Sequence, residues 1–276
     1  MGWTLLATAA GIIAVWLCAW LFLVFPCKPE KQTRAPFQNS LLAHRGLYGA
    51  DQNPPENTLP AFAAAAEAGY GIELDVQLTR DGEVVVFHDD YLNRACGTET
   101  RVDAYTLAEL LGMPLFGSGE TMPLFSQVLA EVNGRVPLLV ELKTGPRNAE
   151  LCEKTLALLK DYGGDYCIES FDPRIIAWFR RHAPEILRGQ LSQQYCEYRG
   201  FGFGRAKSFL LSRCLLNCIA RPGFIAYRTG KRPVSVNLAL QLGAMHFAWT
   251  VREQKYISGC DAAIFEHFTP EKKGNE

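Results

Sequence analysis

The chain has 276 residues, 48% of them hydrophobic and 21% charged, with a formal net charge of −1. That length holds about one to two domains, and the composition excludes a disordered tail, a collagen-like repeat and a small disulfide scaffold. Near-neutral charge argues against a nucleic-acid binder, and nine scattered cysteines without CxxC pairs argue against a disulfide framework or a zinc site; they read as reduced, mostly buried thiols.

The first 27 residues carry no charged side chain, and Trp3 to Phe25 is a 23-residue apolar run. A helix needs about 20 such residues to cross the hydrocarbon core. A cleaved signal peptide would want a basic start, a shorter apolar core and a small-x-small processing site. No Lys or Arg precedes this run, and Phe25-Pro26-Cys27 is a poor cleavage site. Residues 1–27 therefore predict an uncleaved transmembrane anchor that contacts membrane lipid through residues 3–25. Lys28, Lys31 and Arg34, opposed only by Glu30, follow it. Positive residues stay on the cytoplasmic side, so the expectation is a single-pass cell-membrane protein with its main domain in the cytoplasm. Reduced thiols fit that compartment.

Residues 28–39 are polar, carry Pro29 and Pro36, and read as a tether. From Ser40 onward short apolar runs alternate with segments of helical period. Strands are predicted at 41–44, 71–76, 136–142, 165–169, 187–191, 224–227, 244–251 and 261–265, and helices at 59–68, 125–132, 147–162 and 173–182. Eight strands with intervening helices predict a (β/α)8 TIM barrel, an α/β fold, over residues 40–270. A polar tail, 271–276, follows. One strand breaks the alternation: Glu83–His88 comes only four residues after Leu78, too few for a parallel crossover, and Asp81-Gly82 is a hairpin signal. With Leu78 opposite Glu83, His88 falls opposite Glu73 and near Asp75.

Active sites of such barrels lie at the carboxyl ends of the strands, and the predicted ends are rich in chemistry. The first strand ends at His44-Arg45-Gly46, the second carries Glu73 and Asp75, the hairpin strand ends at His88-Asp89, the next ends with Glu141-Leu142-Lys143, and Trp249 lies near a late strand's end. Alternate strand residues share a face, so Glu73 and Asp75 point one way, as do Glu141 and Lys143. Three carboxylates among apolar neighbours repel one another unless protonated or bound to a hard divalent cation such as Mg²⁺ or Ca²⁺. Two histidines nearby suit acid/base work near neutral pH, and Arg45 and Lys143 supply the charge a phosphate wants. Each item alone reads as a salt-bridged or solvated group; their joint occurrence at the strand ends of one barrel reads as a site.

The stretch Leu41–Arg94 strongly resembles glycerophosphodiester phosphodiesterases, through His44-Arg45-Gly46, Pro55-Glu56-Asn57-Thr58, Ala61-Phe62, Glu73-Leu74-Asp75-Val76, Asp81-Gly82 and His88-Asp89. Val140-Glu141-Leu142-Lys143, Glu169-Ser170-Phe171-Asp172-Pro173 and Trp249-Thr250-Val251 continue the resemblance in order to about Pro270. It implies a TIM barrel that cleaves glycerophosphodiesters, with metal assistance, to glycerol 3-phosphate and an alcohol. It matches Glu73, Asp75 and Glu141 to metal ligands, His44 and His88 to the acid/base pair, and Arg45 and Lys143 to phosphate-binding cations. It also suggests that the glycerol 2-hydroxyl attacks first and that water opens the resulting cyclic phosphate. Phe171 and Trp249 are candidate pocket residues. The closing strand departs from the family's DG-I-x-D pattern: Ala262 replaces the glycine, and Glu266 stands near the usual terminal acid.

Between Arg199 and Arg232 there are eight Lys or Arg and no Asp or Glu. Residues 204–221 mix these cations with apolar side chains and read either as a basic amphipathic helix in an anionic membrane interface or as an ordinary barrel helix with an inward apolar side. Two further functional readings stand beside the first: a lysophospholipase D taking membrane lysophospholipid at the same site, and a silent barrel sensing phosphorylated ligands.

Overall fold

The computed structural model describes residues 2–271, so most of the polar tail lies outside the described residues. Nine strands form one sheet: β1 Ser40–His44, β2 Gly71–Leu78, β3 Val84–Val86, β4 Leu138–Leu142, β5 Tyr166–Ser170, β6 Arg188–Ser192, β7 Phe224–Arg228, β8 Met245–Val251 and β9 Ala262–Phe265. All but β3 are parallel, and β1 pairs with both β2 and β9, which closes an eight-stranded barrel. The helices Leu59–Glu67, Phe125–Val132, Asn148–Lys160 and Pro173–His182 stand where helical periodicity places them. The strands are buried on both faces, as parallel barrel strands must be. An outer layer of Leu74, Val76, Val140 and Ile168 packs against Phe62, Phe125 and Phe179 of the helices.

The hairpin expectation holds in topology, since β3 lies antiparallel on the outer half of β2, but its register differs by one residue. Leu78 pairs with Val84 and Val76 with Val86. Thr79 N–H donates to the Glu83 carbonyl (3.0 Å), and Gly82 adopts φ +84°. The turn is thus Arg80-Asp81-Gly82, a three-residue loop with glycine in the left-handed position, and the shift puts His88 past the end of β3 rather than opposite Glu73.

The segment 28–39 makes specific contacts with the floor of the barrel, the end at which the strands begin. Lys31–Arg34 forms one helical turn, Ala35–Phe37 a 3₁₀ turn, and Phe37 is buried against Phe247 with ring centroids 6.3 Å apart. Phe37 thereby closes the interior layer that contains Leu42, Leu139, Leu191 and Phe224.

The N-terminal helix runs from Gly2 to Val24, and its span Trp3–Val24 has a mean hydropathy of 2.2 and is almost wholly exposed. Its end is tied to the barrel floor. Asn217 donates to the Val24 carbonyl (3.0 Å), Arg221 donates to the carbonyls of Phe22 (3.1 Å) and Phe25 (2.6 Å), and Cys27 N–H donates to the Pro222 carbonyl (2.9 Å). Residues 204–221 are not one helix. They form Arg205–Ser212 and Asn217–Ala220, separated where Cys214 takes φ +51° and Leu215 N–H returns to the Leu210 carbonyl (3.0 Å), a left-handed C-terminal closure that ends the first helix.

Candidate active site

The ends of β1, β2 and β4 converge because of their register. His44 pairs with Glu73 across β1–β2, Asp75 with Glu141 across β2–β4, and Glu141 with Glu169 across β4–β5. Ligand oxygens of Glu73, Asp75 and Glu141, all buried, lie within 4.8 Å of one another. Asp75 Oδ1 is buried without a hydrogen-bond partner. Burial first, then the neighbouring carboxylates, pushes Glu73 well above the usual carboxylate range. Burial likewise pushes Glu141 up to about 7, against the opposing pull of Lys143. For Asp75, burial alone would raise the pKa, but Lys143, His88, Arg45 and the Asn57 amide outweigh it and hold the carboxyl far below its usual range. Three convergent oxygen donors, one of them without a hydrogen bond and two reluctant to ionise, fit a hard divalent cation and could hold one.

Backbone geometry after β1 serves this cluster. Arg45 (φ +58°) and Gly46 (φ +85°) turn the chain so that the Arg45 N–H donates to Glu73 Oε2 at 2.9 Å. A Cβ on Gly46 would meet Ala61 at 2.9 Å, so only glycine fits this left-handed turn. Asn57 accepts nothing on its buried Oδ1, but its Nδ2 donates to Asp75 Oδ2 (2.9 Å) and its N–H to the Arg45 carbonyl (2.9 Å).

Each histidine is backed by a carboxylate and an arginine. His44 Nδ1 lies 2.5 Å from Glu266 Oε2, and Arg252 Nε donates to Glu266 Oε1 at 2.8 Å. His88 Nδ1 lies 2.6 Å from Asp89 Oδ1, and Arg94 Nε donates to Asp89 Oδ2 at 2.7 Å. A carboxylate only accepts, so in both rings Nδ1 carries the hydrogen and the neutral imidazole presents Nε2 as an acceptor. Burial lowers the pKa of both rings, that of His88 to about 4, with Lys143 adding to the effect. Arg94 also grips Glu56 through both terminal nitrogens (2.9 and 2.6 Å), and Arg45 reaches Glu56 from the other side (2.7 Å).

A cavity of about 580 Å³ opens at this end of the barrel. His44, Arg45, Glu73, His88, Glu141, Phe171 and Trp249 line it; Phe171 and Trp249 meet edge to face at 5.7 Å. Lys143 and Asp75 stand behind that wall. Lys143 Nζ is held by Glu141 (3.0 Å) and Asp75 (3.4 Å), so in this arrangement its charge serves the carboxylates. The structure adds residues that strand patterning did not single out. Glu266 and Arg252 position His44, and Arg94 and Glu56 support His88 and Arg45. Glu169 lines the cavity with its Oε2 buried and unpartnered, its pKa raised by burial and by Glu141. Glu266 had a signal, as the acid ending β9 beside β1. Arg94, on the excursion after β3, had none.

A closed parallel barrel with carboxylates, cations and two carboxylate-backed histidines at its carboxyl mouth defines a TIM-barrel enzyme of phosphoester type. The model of the glycerophosphoryl diester phosphodiesterase family matches residues 44–267, and the chain belongs to that family. It is 32% identical over 235 residues to the Bacillus subtilis protein YhdW, whose name places it among glycerophosphodiester phosphodiesterases; the match covers 78% of this chain and 87% of that protein. Human lysophospholipase D GDPD1 is 30% identical over 175 residues, 59% of this chain and 53% of that one. The solved structure of an Oleispira antarctica phosphodiesterase, in complex with the product sn-glycerol-3-phosphate, has the same fold: TM-score 0.67, 23% identity, 84% of this chain and 94% of the other.

Proposed function

We propose that the chain is a membrane-anchored, divalent-cation-dependent enzyme that cleaves glycerophosphodiesters to glycerol 3-phosphate and an alcohol. The observation that carries this reading is the meeting, in one cavity, of Glu73 and Glu141 with His44 and His88, the Asp75 carboxylate standing just behind and within 4.8 Å of the other two. Glu73, Asp75 and Glu141 would hold Mg²⁺ or Ca²⁺, which when bound supplies Lewis-acid stabilisation of phosphoryl charge. Arg45 binds the phosphate, and Lys143 keeps the cluster charge-balanced from behind while remaining the second candidate phosphate cation. One histidine takes the proton of the glycerol 2-hydroxyl as its oxygen bonds phosphorus; the other protonates the departing headgroup oxygen. Water then opens the cyclic phosphate with the histidines' roles reversed. Phe171 and Trp249 form the apolar wall beside the headgroup.

We further assign residues 1–27 as a single-pass anchor in the cell membrane, with the barrel of residues 40–270 on the cytoplasmic side, supported by Lys28, Lys31 and Arg34 and by nine free cysteines. Anchoring favours a second reading, lysophospholipase D activity on lysophospholipids. The test is hydrolysis by the full chain in detergent, with glycerophosphocholine beside lysophosphatidylcholine, with EDTA and then with added Mg²⁺ or Ca²⁺. Cation-dependent release of glycerol 3-phosphate supports the first reading, and preference for the lysolipid the second. No hydrolysis of either substrate would leave a phosphate-binding sensor.

A further inference from the structure

From Tyr198 to Arg252 the chain contains nine of its 28 Lys and Arg and none of its 29 Asp and Glu. The fold gathers this acid-free stretch on one flank, built from β6 to β8 and the helices that cover them. At the mouth end stand the turn after Tyr195–Gly200 and the helix Arg205–Ser212; at the floor end stands Asn217–Ala220. Large apolar side chains lie open along it: Phe201 is 71% and Phe209 46% exposed, with Ile219 and Val234 beyond them.

These apolar groups are interleaved with cations rather than screened by acids. Lys207 Nζ sits 3.8 Å from the centroid of Phe203, and the Arg213 guanidinium lies 4.1 Å from that of Phe209. Such a pair can present an aromatic body to acyl chains and its charge to phosphate headgroups. Arg228 is turned to Glu197 (3.0 Å) and Arg252 to Glu266, which leaves seven cations of the stretch outside those two ion pairs, Arg205, Lys207, Arg213 and Arg221 among them.

The same flank receives the N-terminal helix. Asn217 and Arg221 hold its last turn, and Arg221 also lies over the rings of Phe22 (4.9 Å) and Phe25 (5.8 Å). The cationic, apolar face is therefore continuous with the point where the chain leaves the hydrocarbon core. We propose that this flank docks on the anionic surface of the membrane that holds the anchor, so that the barrel lies on its side with its mouth at headgroup height. The proposal rests on the anchor assignment above. Anionic lipid is favoured because each Lys or Arg near such a surface is attracted to it, an attraction that falls off within a Debye length.

The experiment is hydroxyl-radical footprinting of the full chain in nanodiscs, one set of phosphatidylcholine alone and one with about one third phosphatidylglycerol. Oxidation of Phe201 and Phe209 should fall about fivefold or more in the anionic discs and recover in about 0.5 M salt, while Tyr91, 49% exposed on the β3 excursion, stays unchanged. The double variant Arg205→Glu/Lys207→Glu should lose the protection and keep glycerophosphocholine turnover in detergent. Equal oxidation in both discs, or protection that survives the double variant, overturns docking. Failure of the chain to enter nanodiscs at all would instead overturn the anchor.

Discussion

Glu266→Gln isolates what the His44 carboxylate does. Glu266 spends one oxygen on Arg252 and the other, which also accepts from the Tyr48 hydroxyl at 3.3 Å, on His44 Nδ1 at 2.5 Å. Burial would raise its pKa, but His44 and Arg252 outweigh burial and keep it ionised. Glutamine preserves the shape and offers only one acceptor. Arginine can only donate, so the amide oxygen stays with Arg252 and the amide NH₂ turns to His44. Nδ1 then becomes the acceptor and the hydrogen moves to Nε2, the wrong tautomer for accepting a substrate proton. The loss of one charge-assisted hydrogen bond and the cost of the reverse tautomer together amount to about 2–4 kcal/mol, or about 30- to 10³-fold in kcat. Steady-state kinetics on the full chain should show that loss with KM and the cation-titration midpoint near wild type, because Glu266 is not among the three convergent carboxylates. A kcat within twofold of wild type, in a variant with unchanged melting temperature, would refute the tautomer argument.

His88→Ala removes a positioned proton carrier and should lower kcat by about 10² or more; near-wild-type turnover of the purified variant would remove His88 from the acid/base pair. Glu73→Gln takes one oxygen donor from the triad, so its activity should need a higher cation concentration, and an unchanged titration would take Glu73 out of the ligand set. Phe37→Ala opens the barrel floor, and denaturant unfolding should show a loss of about 3–5 kcal/mol. Cation affinity should rise with pH through about 7, the value to which burial pushes Glu141, and the upward shift of Glu73 extends that rise. Below that value the cation must displace a proton, which calorimetry in buffers of different ionisation enthalpy would detect.

Much of this site is legible in the sequence because barrel strands obey a period of two. Glu73 and Asp75 sit two apart, as do Glu141 and Lys143, so each pair must share a face, and the carboxyl ends of parallel strands must meet at one mouth. What period cannot give is position around a closed ring or in a loop. Lys143 shares a face with Glu141, yet its long chain folds back between two carboxylates instead of reaching the cavity. The hairpin register turned on whether Gly82 closed a two- or a three-residue loop, a difference of one left-handed residue. Phe37 looked like part of a polar tether because a single aromatic has no periodicity; only the closed barrel reveals the hole it fills.

Arg94 shows how the excursion after β3 is built into the candidate site rather than standing at its periphery. The site holds four buried carboxylates, Glu73, Asp75, Glu141 and Glu169, around one small volume, and a cation bound by three of them does not by itself orient two histidines. The structure solves the second problem with alternating charge: His88 to Asp89, Asp89 to Arg94, Arg94 to Glu56, Glu56 to Arg45, and Arg45 to the Glu73–Asp75 pair. Every link is a charge-assisted contact; those among Glu56, Arg45, Glu73 and Asp75 lie between largely buried groups, where such bonds are strongest, whereas Arg94 is 41% exposed. His88 is thereby tied to the metal-type cluster through Arg94, a residue of the Asn93–Cys96 helix well outside the barrel wall. His44 is held by a separate pair, Glu266 and Arg252, from β9 and the end of β8. The two rings are thus positioned by separate networks that meet at the carboxylate cluster, an arrangement that suits the proposed division of base and acid between them.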